Sequence, residues 1–183
     1  MHKNTQKTKE NFRCQCLANL KKASADIRYK TRDKQVIAKL YNIIKSTKAQ
    51  TIMLYIPLKI EVDIKPLIAR LRKEKKVIYT PFMEGESFRL VKYRMPLIKK
   101  RFGIIEPKYS KQFRKKNIDL AIVPIVGTDM TARRVGFGKG MYDRFFEKEK
   151  ENIGITVFVA RELYVCSECI TNKHDIKADF IIT

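Results

Sequence analysis

Thr51-Ile52-Met53-Leu54-Tyr55-Ile56-Pro57 and the segment Val77-Ile78-Tyr79-Thr80-Pro81 decide the fold. Both are short apolar runs rich in branched and aromatic side chains, and both stop at a proline. Such runs read as strands, over 51–56 and 77–80, with both faces covered. Between them Ile64, Leu67, Ile68 and Leu71 recur at helical spacing. Strand, helix and strand in that order make a βαβ unit with parallel strands.

The pattern continues outward. Ile118 to Val123, closed by Pro124, reads as a further buried strand, and 153–159 and 180–182 as two later ones. Residues 87–93 alternate well enough for a strand, set off by Glu84-Gly85-Glu86 as a hairpin or edge extension. Upstream, 8–24 reads as a polar, basic helix with Phe12, Cys16, Ala18 and Leu20 on its apolar side. A second helix has Thr31 and Asp33 at its start and Val36, Ile37, Leu40, Ile43 and Ile44 at helical spacing. Residues 94–116 look basic and irregular. The expected fold is a three-layer α/β/α single domain over 1–183, with a mostly parallel, Rossmann-like open sheet. Ligands in such folds bind beyond the C-terminal ends of the strands.

The chain has 183 residues, of which 44% are hydrophobic, and a formal net charge of +21. The excess is uneven: 13 Lys/Arg face 3 Asp/Glu in residues 1–48, and 10 face 1 in residues 92–116. A field of that sign attracts polyanions, either nucleic acid or phosphorylated and polycarboxylate metabolites, although a lysine-rich solvated surface would look the same. No run approaches the length of a membrane span, and Met1 to Lys7 lacks the apolar core of a secretory signal. The expected compartment is the cytoplasm, with all four cysteines as thiols.

Arg133-Arg134-Val135-Gly136-Phe137-Gly138-Lys139-Gly140-Met141-Tyr142-Asp143-Arg144 places three of seven glycines within five positions, among four cations, ahead of a helical run from Tyr142 to about 150. Glycines let backbone N–H groups converge on an anion, and the helix N-terminus adds its dipole. The spacing G-x-G-x-G, after a loop rather than a strand, is not the dinucleotide fingerprint. Lys139 followed by Gly140 is not a P-loop either, which needs a hydroxyl there to hold magnesium. Asp143 can hold Mg²⁺ beside a phosphate, or cap the helix and pair with Arg144 or Lys139. Glu61 and Asp63, past the first strand, can be ligand groups or cap the helix from Ile64, one carboxylate for each task. Cys166, Cys169 and His174 resemble part of a zinc site, but Cys14-x-Cys16 on a helix points its thiols apart, which disfavours a four-ligand centre.

Residues 118–124 followed by 134–145 resemble the signature of the 5-formyltetrahydrofolate cyclo-ligase, or methenyltetrahydrofolate synthetase, family. Lys9 and Arg13, Glu61-Val62-Asp63, Ile105-Glu106-Pro107 and His174-Asp175 appear in the same order, so the resemblance runs from about Lys9 to Thr183. It implies an ATP- and Mg²⁺-dependent ligase that converts 5-formyltetrahydrofolate to 5,10-methenyltetrahydrofolate. The formyl oxygen takes the γ-phosphoryl group, and ring closure by N10 follows, with release of ADP and phosphate. Also implied are Lys9, Arg13, Arg134, Val135, Gly136, Phe137, Gly138, Lys139, Gly140, Met141 and Tyr142 as ATP-binding elements, and Asp143 and Asp175 as magnesium ligands. Arg13, Ile56, Glu61 and Phe137 to Tyr142 become folate contacts, and Lys139, Tyr142 and Arg144 the catalytic set. The chain departs from the family pattern at Thr128 and Met141, usually aromatic, and at Glu162, where glutamine is common. A monomer or weak homodimer without specific nucleic-acid binding is expected. Two other classes fit the charge and the cradle: a basic RNA-associated protein retaining the fold without the activity, and a different small-molecule kinase.

Overall fold

The computed structural model describes residues 2–100, 103–108 and 117–183, with side chains from residue 6 onward. Helices α1 (His2–Ala25) and α2 (Tyr29–Ser46) precede strand β1 (Thr51–Met53), helix α3 (Lys65–Lys73) and strands β2 (Val77–Glu84), β3 (Ser87–Lys92), β4 (Leu97–Lys99) and β5 (Ile105–Pro107). Strands β6 (Ile118–Pro124), β7 (Gly127–Asp129) and β8 (Arg134–Val135) lead into helix α4 (Met141–Glu149). Strands β9 (Ile153–Val159), β10 (Val165–Cys166) and β11 (Phe180–Ile182) follow.

The central sheet has the order β11-β9-β6-β1-β2-β3. All its pairings are parallel except the β2–β3 hairpin at one edge. Side chains alternate across it, as the pleat requires. Ile52, Leu54, Leu120, Ile122, Val157 and Val159 pack with α2 and α3 through Val36, Leu40, Ile44, Leu67, Ile68 and Leu71. Met53, Ala121, Val123 and Phe158 face the other way and pack with Phe145 and Phe146 of α4. These are the expected three layers.

β1 connects outward through α3 to β2, whereas β6 connects the opposite way through α4 to β9, although β1 and β6 are neighbours. The strand order therefore reverses between them, and in open α/β sheets a crevice forms there beyond the strand ends. The chain after β1 carries Ile56 and Glu61; the chain after β6 carries the glycine segment.

Local differences from the expected elements have physical causes. The first strand stops at Met53, although Leu54 still donates to the Tyr79 carbonyl. Pro81 does not end the second strand: it pairs with Leu90 of β3. Its missing N–H faces the side where β1 has already finished, so no ladder bond is lost. Asp33 lies inside α2, buried, rather than in its first turn. Ala18 is exposed, and Leu17 supplies the apolar contact instead. The 94–116 segment contains a two-stranded antiparallel pair, β4 with β5, held to β2 where the Met83 N–H donates to buried Glu106 at 2.8 Å; residues 101–102 and 109–116 lie outside the described residues. A small sheet, β10-β7-β8, was not expected from the sequence, and through β8 the glycine segment does follow a strand.

Helix α1 lies across that small sheet, with Cys16, Leu20 and Phe12 packed around Val126, Phe137 and Tyr164. Gly127 is the closest approach: a Cβ there would lie 2.8 Å from the Tyr164 carbonyl oxygen and 2.9 Å from the Phe12 ring. Replacing Gly127 with alanine is expected to cost ~1–3 kcal/mol by overpacking. Hydrogen exchange should rise along α1 while β6 and β9 keep their protection; unchanged exchange in α1 would show that the helix is not seated through this contact.

Candidate active site

The residues that build the site come from α1, the glycine segment and the chain before β11. Lys9, Arg13, Cys16 and Leu20 share one face of α1 because they sit three or four residues apart. The apolar pair docks the helix on the small sheet, and the two cations project from the same stripe toward the cradle. Lys9 Nζ donates to Asp175 Oδ2 at 2.6 Å, and Arg13 Nε donates to the Gly136 carbonyl at 2.9 Å. Asp175 also accepts the Asn172 N–H at 2.7 Å. Its segment is anchored by buried Asp129, which accepts from the backbone of Thr131, Ile170 and Thr171 and from both threonine hydroxyls. Burial works to raise the Asp129 carboxyl, but these bonds prevail and bring it down to about 2.

Arg134 is the centre of the arrangement and is only 4% exposed. Its Nε donates to the Pro124 carbonyl, the last residue of β6, at 3.1 Å, and its guanidinium lies over the Tyr142 ring at 4.8 Å. Nη1 is 3.7 Å from Asp143 Oδ2. Gly136 is glycine because a Cβ there would lie 2.1 Å from Nη1. Gly138 and Gly140 take φ of +96° and +61°, conformations that turn the chain into α4 and that other residues adopt with strain. Arg144 donates to the Glu86 and Lys139 carbonyls, which ties the cradle to the β2–β3 turn.

Lys9, Arg13, Arg134, Gly136, Gly138, Gly140, Asp143, Arg144 and Asp175 line one cavity of about 630 Å³. Its walls combine cations with the start of α4, where the first N–H groups have no partner within the helix. Asp143 Oδ1 is buried with no hydrogen-bond partner, an atom that suits a cation bound beside an anion. Among the described residues no group of three or more His, Cys, Asp or Glu could hold a metal unaided. A magnesium ion here would complete its shell with phosphate oxygens and water.

Glu61, in the chain after β1, lies close enough to Arg134 for the guanidinium charge to act on its carboxyl. Its Oε2 accepts the Leu58 N–H at 2.7 Å, while Asp63 Oδ1 accepts the Lys65 N–H at 3.2 Å and so serves the helix start. Burial pushes the Glu61 carboxyl up to about 7, against the Leu58 bond and the charges of Arg134 and Arg161. Burial and the nearby Glu61 also raise the Tyr142 phenol, so it stays protonated at neutral pH.

Residues 5–183 match the model of the 5-formyltetrahydrofolate cyclo-ligase family. The chain belongs to that family. It is a ligase of folate one-carbon metabolism, in a family that uses ATP. A 5-formyltetrahydrofolate cyclo-ligase of Haemophilus influenzae is 27% identical over 142 residues, covering 74% of this chain and 76% of that one. One from Mus musculus is 23% identical over 148 residues, covering 73% of each. The solved structure of the Aquifex aeolicus 5,10-methenyltetrahydrofolate synthetase superposes with a TM-score of 0.76 at 29% identity, over 95% of this chain and 88% of that one. A synthetase from Mycoplasma pneumoniae, 22% identical, shares the fold with a TM-score of 0.72 over 95% and 97% of the two chains.

Within this cyclo-ligase, several sequence candidates stand away from the cavity wall. Val135 is fully buried, Phe137 packs under α1, and Met141 and Tyr142 pack on the α4 side of the core. Ile56 and Glu61 belong to the β1 side of the crevice, and Lys139 is exposed at the cradle's tip. Asp143 faces Arg134 rather than capping the helix through its side chain. Thr128 is buried in β7, and Glu162 pairs with Arg32 of α2 and accepts from the Tyr164 hydroxyl. Gln6, Glu10, Glu147, Ile170, Asn172 and His174 also line the cavity. The spacing of Gln6 and Glu10 with Lys9 and Arg13 on one helix was the signal that could have found the first two.

The carboxyl of Glu61 keeps its proton to about 7 when folded and releases it near 4.5 when free. The folded state therefore loses stability as pH rises through that window. Glu61→Gln is expected to raise Tm at pH 8, with the gap to wild type closing by pH 4.5; equal melting at both pH values would refute a buried, titrating Glu61.

Proposed function

We propose that this chain converts 5-formyltetrahydrofolate to 5,10-methenyltetrahydrofolate with the Arg13–Arg134–Asp143–Asp175 cavity as its ATP subsite and the Glu61 side as its folate subsite. The observation that carries the assignment is the pairing of opposite chemistries across Arg134. A glycine-walled cavity where Lys9, Arg13, Arg134 and Arg144 meet Glu10, Asp143, Glu147 and Asp175 suits a triphosphate with its magnesium, and a carboxylate past a strand end suits the N–H donors of a pterin.

ATP supplies the phosphoryl group that turns the formyl oxygen into a leaving group, and Mg²⁺ supplies neutralising charge. The chain's own part is positioning and electrostatics, the main protein contributions to phosphoryl transfer. Lys9 and Arg13 neutralise the phosphates from above, and the cradle's N–H groups receive them at the start of α4. Lys139, exposed in the loop, adds a positive charge, whereas Arg144 keeps the loop's shape by holding the Lys139 and Glu86 carbonyls. Asp143, with its unpartnered Oδ1, and Asp175 are the candidate magnesium ligands. Arg134 meets the charge that develops between the two subsites, and Tyr142 beneath it closes the apolar floor. Ionised Glu61 accepts hydrogen bonds from the pterin edge, next to Ile56.

Purified protein given MgATP and 5-formyltetrahydrofolate should develop the near-ultraviolet absorbance of the methenyl product. Salt-sensitive RNA binding with no product would instead favour the RNA-associated alternative. Asp143→Asn is expected to lower kcat/KM for ATP by roughly 10–1,000-fold, the range for loss of one electrostatic group in a transition state, with part of the loss recovered at high Mg²⁺. The KM for 5-formyltetrahydrofolate should change less than the KM for ATP, because Asp143 reaches the folate side only through Arg134, and a selective rise in the folate constant would overturn the subsite assignment.

A further inference from the structure

The loop from β1 to α3 carries Glu61 but lies outside any helix or strand. Inside the loop the Glu61 N–H donates to the Leu58 carbonyl at 3.0 Å, and Tyr55 Oη donates to the Val62 carbonyl at 3.0 Å. Further supports come from a buried ion pair outside it. Asp33 of α2 and Arg161, just beyond β9, are 4% and 5% exposed. Arg161 Nε donates to Asp33 Oδ1 at 2.8 Å and Nη2 to Oδ2 at 3.0 Å, a two-bond fork. The same carboxylate accepts the Asp63 N–H at 2.9 Å, and Arg161 Nη1 reaches the Lys59 carbonyl at 3.4 Å. Lys59 and Asp63 flank Glu61 by two residues on either side, so the pair grips both shoulders of the loop. Ser24 Oγ, 2.9 Å from Nη1, and the Tyr29 ring, 4.9 Å from the guanidinium, fix Arg161 from the helices.

A buried ion pair is weak evidence of stabilisation, because desolvation of both charges offsets their attraction, and apolar replacements are often as stable. What an apolar pair would not replace is the bond to the Asp63 N–H and the contact with the Lys59 carbonyl. We propose that Asp33 and Arg161 are positioning residues for folate binding: they hold the 59–63 loop so that Glu61 presents its carboxylate to the substrate. This rests on the reading of Glu61 as the folate-side carboxylate.

The test compares steady-state kinetics of Glu61→Gln, Arg161→Lys and the double variant Asp33→Leu with Arg161→Met. The double variant removes both buried charges together, which spares folding, and KM does not depend on how much of a sample is folded. The KM for 5-formyltetrahydrofolate is expected to rise roughly ten- to a hundredfold in the double variant, the scale of a catalytic or binding group displaced by about 1 Å, with Tm close to wild type. Arg161→Lys, which keeps the charge and loses the fork, should show a smaller rise. The KM for ATP should stay within about twofold of wild type in both, because Ser24, the α1 residue that Arg161 reaches, lies about three helical turns from Arg13. If Glu61→Gln raises the folate KM while Arg161→Lys and the double variant leave it at wild type, the positioning proposal is wrong. If Glu61→Gln itself leaves that constant unchanged, the reading of Glu61 fails and the proposal falls with it.

Discussion

Arg134 has to be buried, and it has to stay charged. Burial pulls its guanidinium toward losing the proton, while Asp143, Tyr142, Glu61 and Asp175 act in the opposite direction; a guanidinium in that balance remains a cation. The surrounding chain is arranged around this one group. β6 ends with the Pro124 carbonyl aimed at Nε, Gly136 lacks a side chain to make room for Nη1, and the Tyr142 ring lies under the plane. The backbone of Arg134 is fixed as well, because its N–H donates to the Ile176 carbonyl, next to Asp175.

The sheet sets the surroundings of this cation. β1 and β6 are adjacent but lead away in opposite directions, so the loops that follow them cannot cover each other and leave a crevice. Arg134 is bonded to the end of β6 and lies within electrostatic reach of Glu61, which the chain after β1 carries. Each side is held by its own contacts, and the two sets meet on α1, where Ser24 Oγ lies 2.9 Å from Arg161 Nη1. Lys9 with Asp175 and Arg13 with Gly136 tie α1 to the cradle, and Asp33 with Arg161 ties the second loop to α2 and β9. A mutation in one set is expected to be felt mainly on its own side, unless it reaches Arg134 or shifts α1.

Much of this was legible in the sequence because local signals and global fold agree there. The apolar runs at 51, 77, 118 and 153 report strands covered on both faces, and the periodic Leu67, Ile68 and Leu71 report the crossover helix, since burial on the sheet leaves no other pattern. The glycine segment announced a sharp turn into a helix through its own chemistry, and Gly138 and Gly140 do take positive φ there. Less was visible where an element is short or where a partner is remote. β7, β8 and β10 have two or three residues each and no room for a period. Asp33 looked like a helix-start residue because its partner, Arg161, is 128 positions away. Glu61 and Asp63 were open to the same two roles until the Lys65 N–H was seen to choose Asp63 and the Leu58 N–H to choose Glu61. Arg13 could be placed at the site only through the family resemblance, because nothing local shows that α1 lies across the cradle.

The central claim is that one buried guanidinium serves both subsites, and the steady-state kinetics of Arg134→Met test it most directly, with each substrate varied at saturating levels of the other. The account predicts that the KM for ATP and the KM for 5-formyltetrahydrofolate both rise and that kcat falls roughly 100-fold or more, as for loss of a preorganised transition-state charge. A change confined to ATP, with the folate constant and kcat at wild-type values, would contradict it.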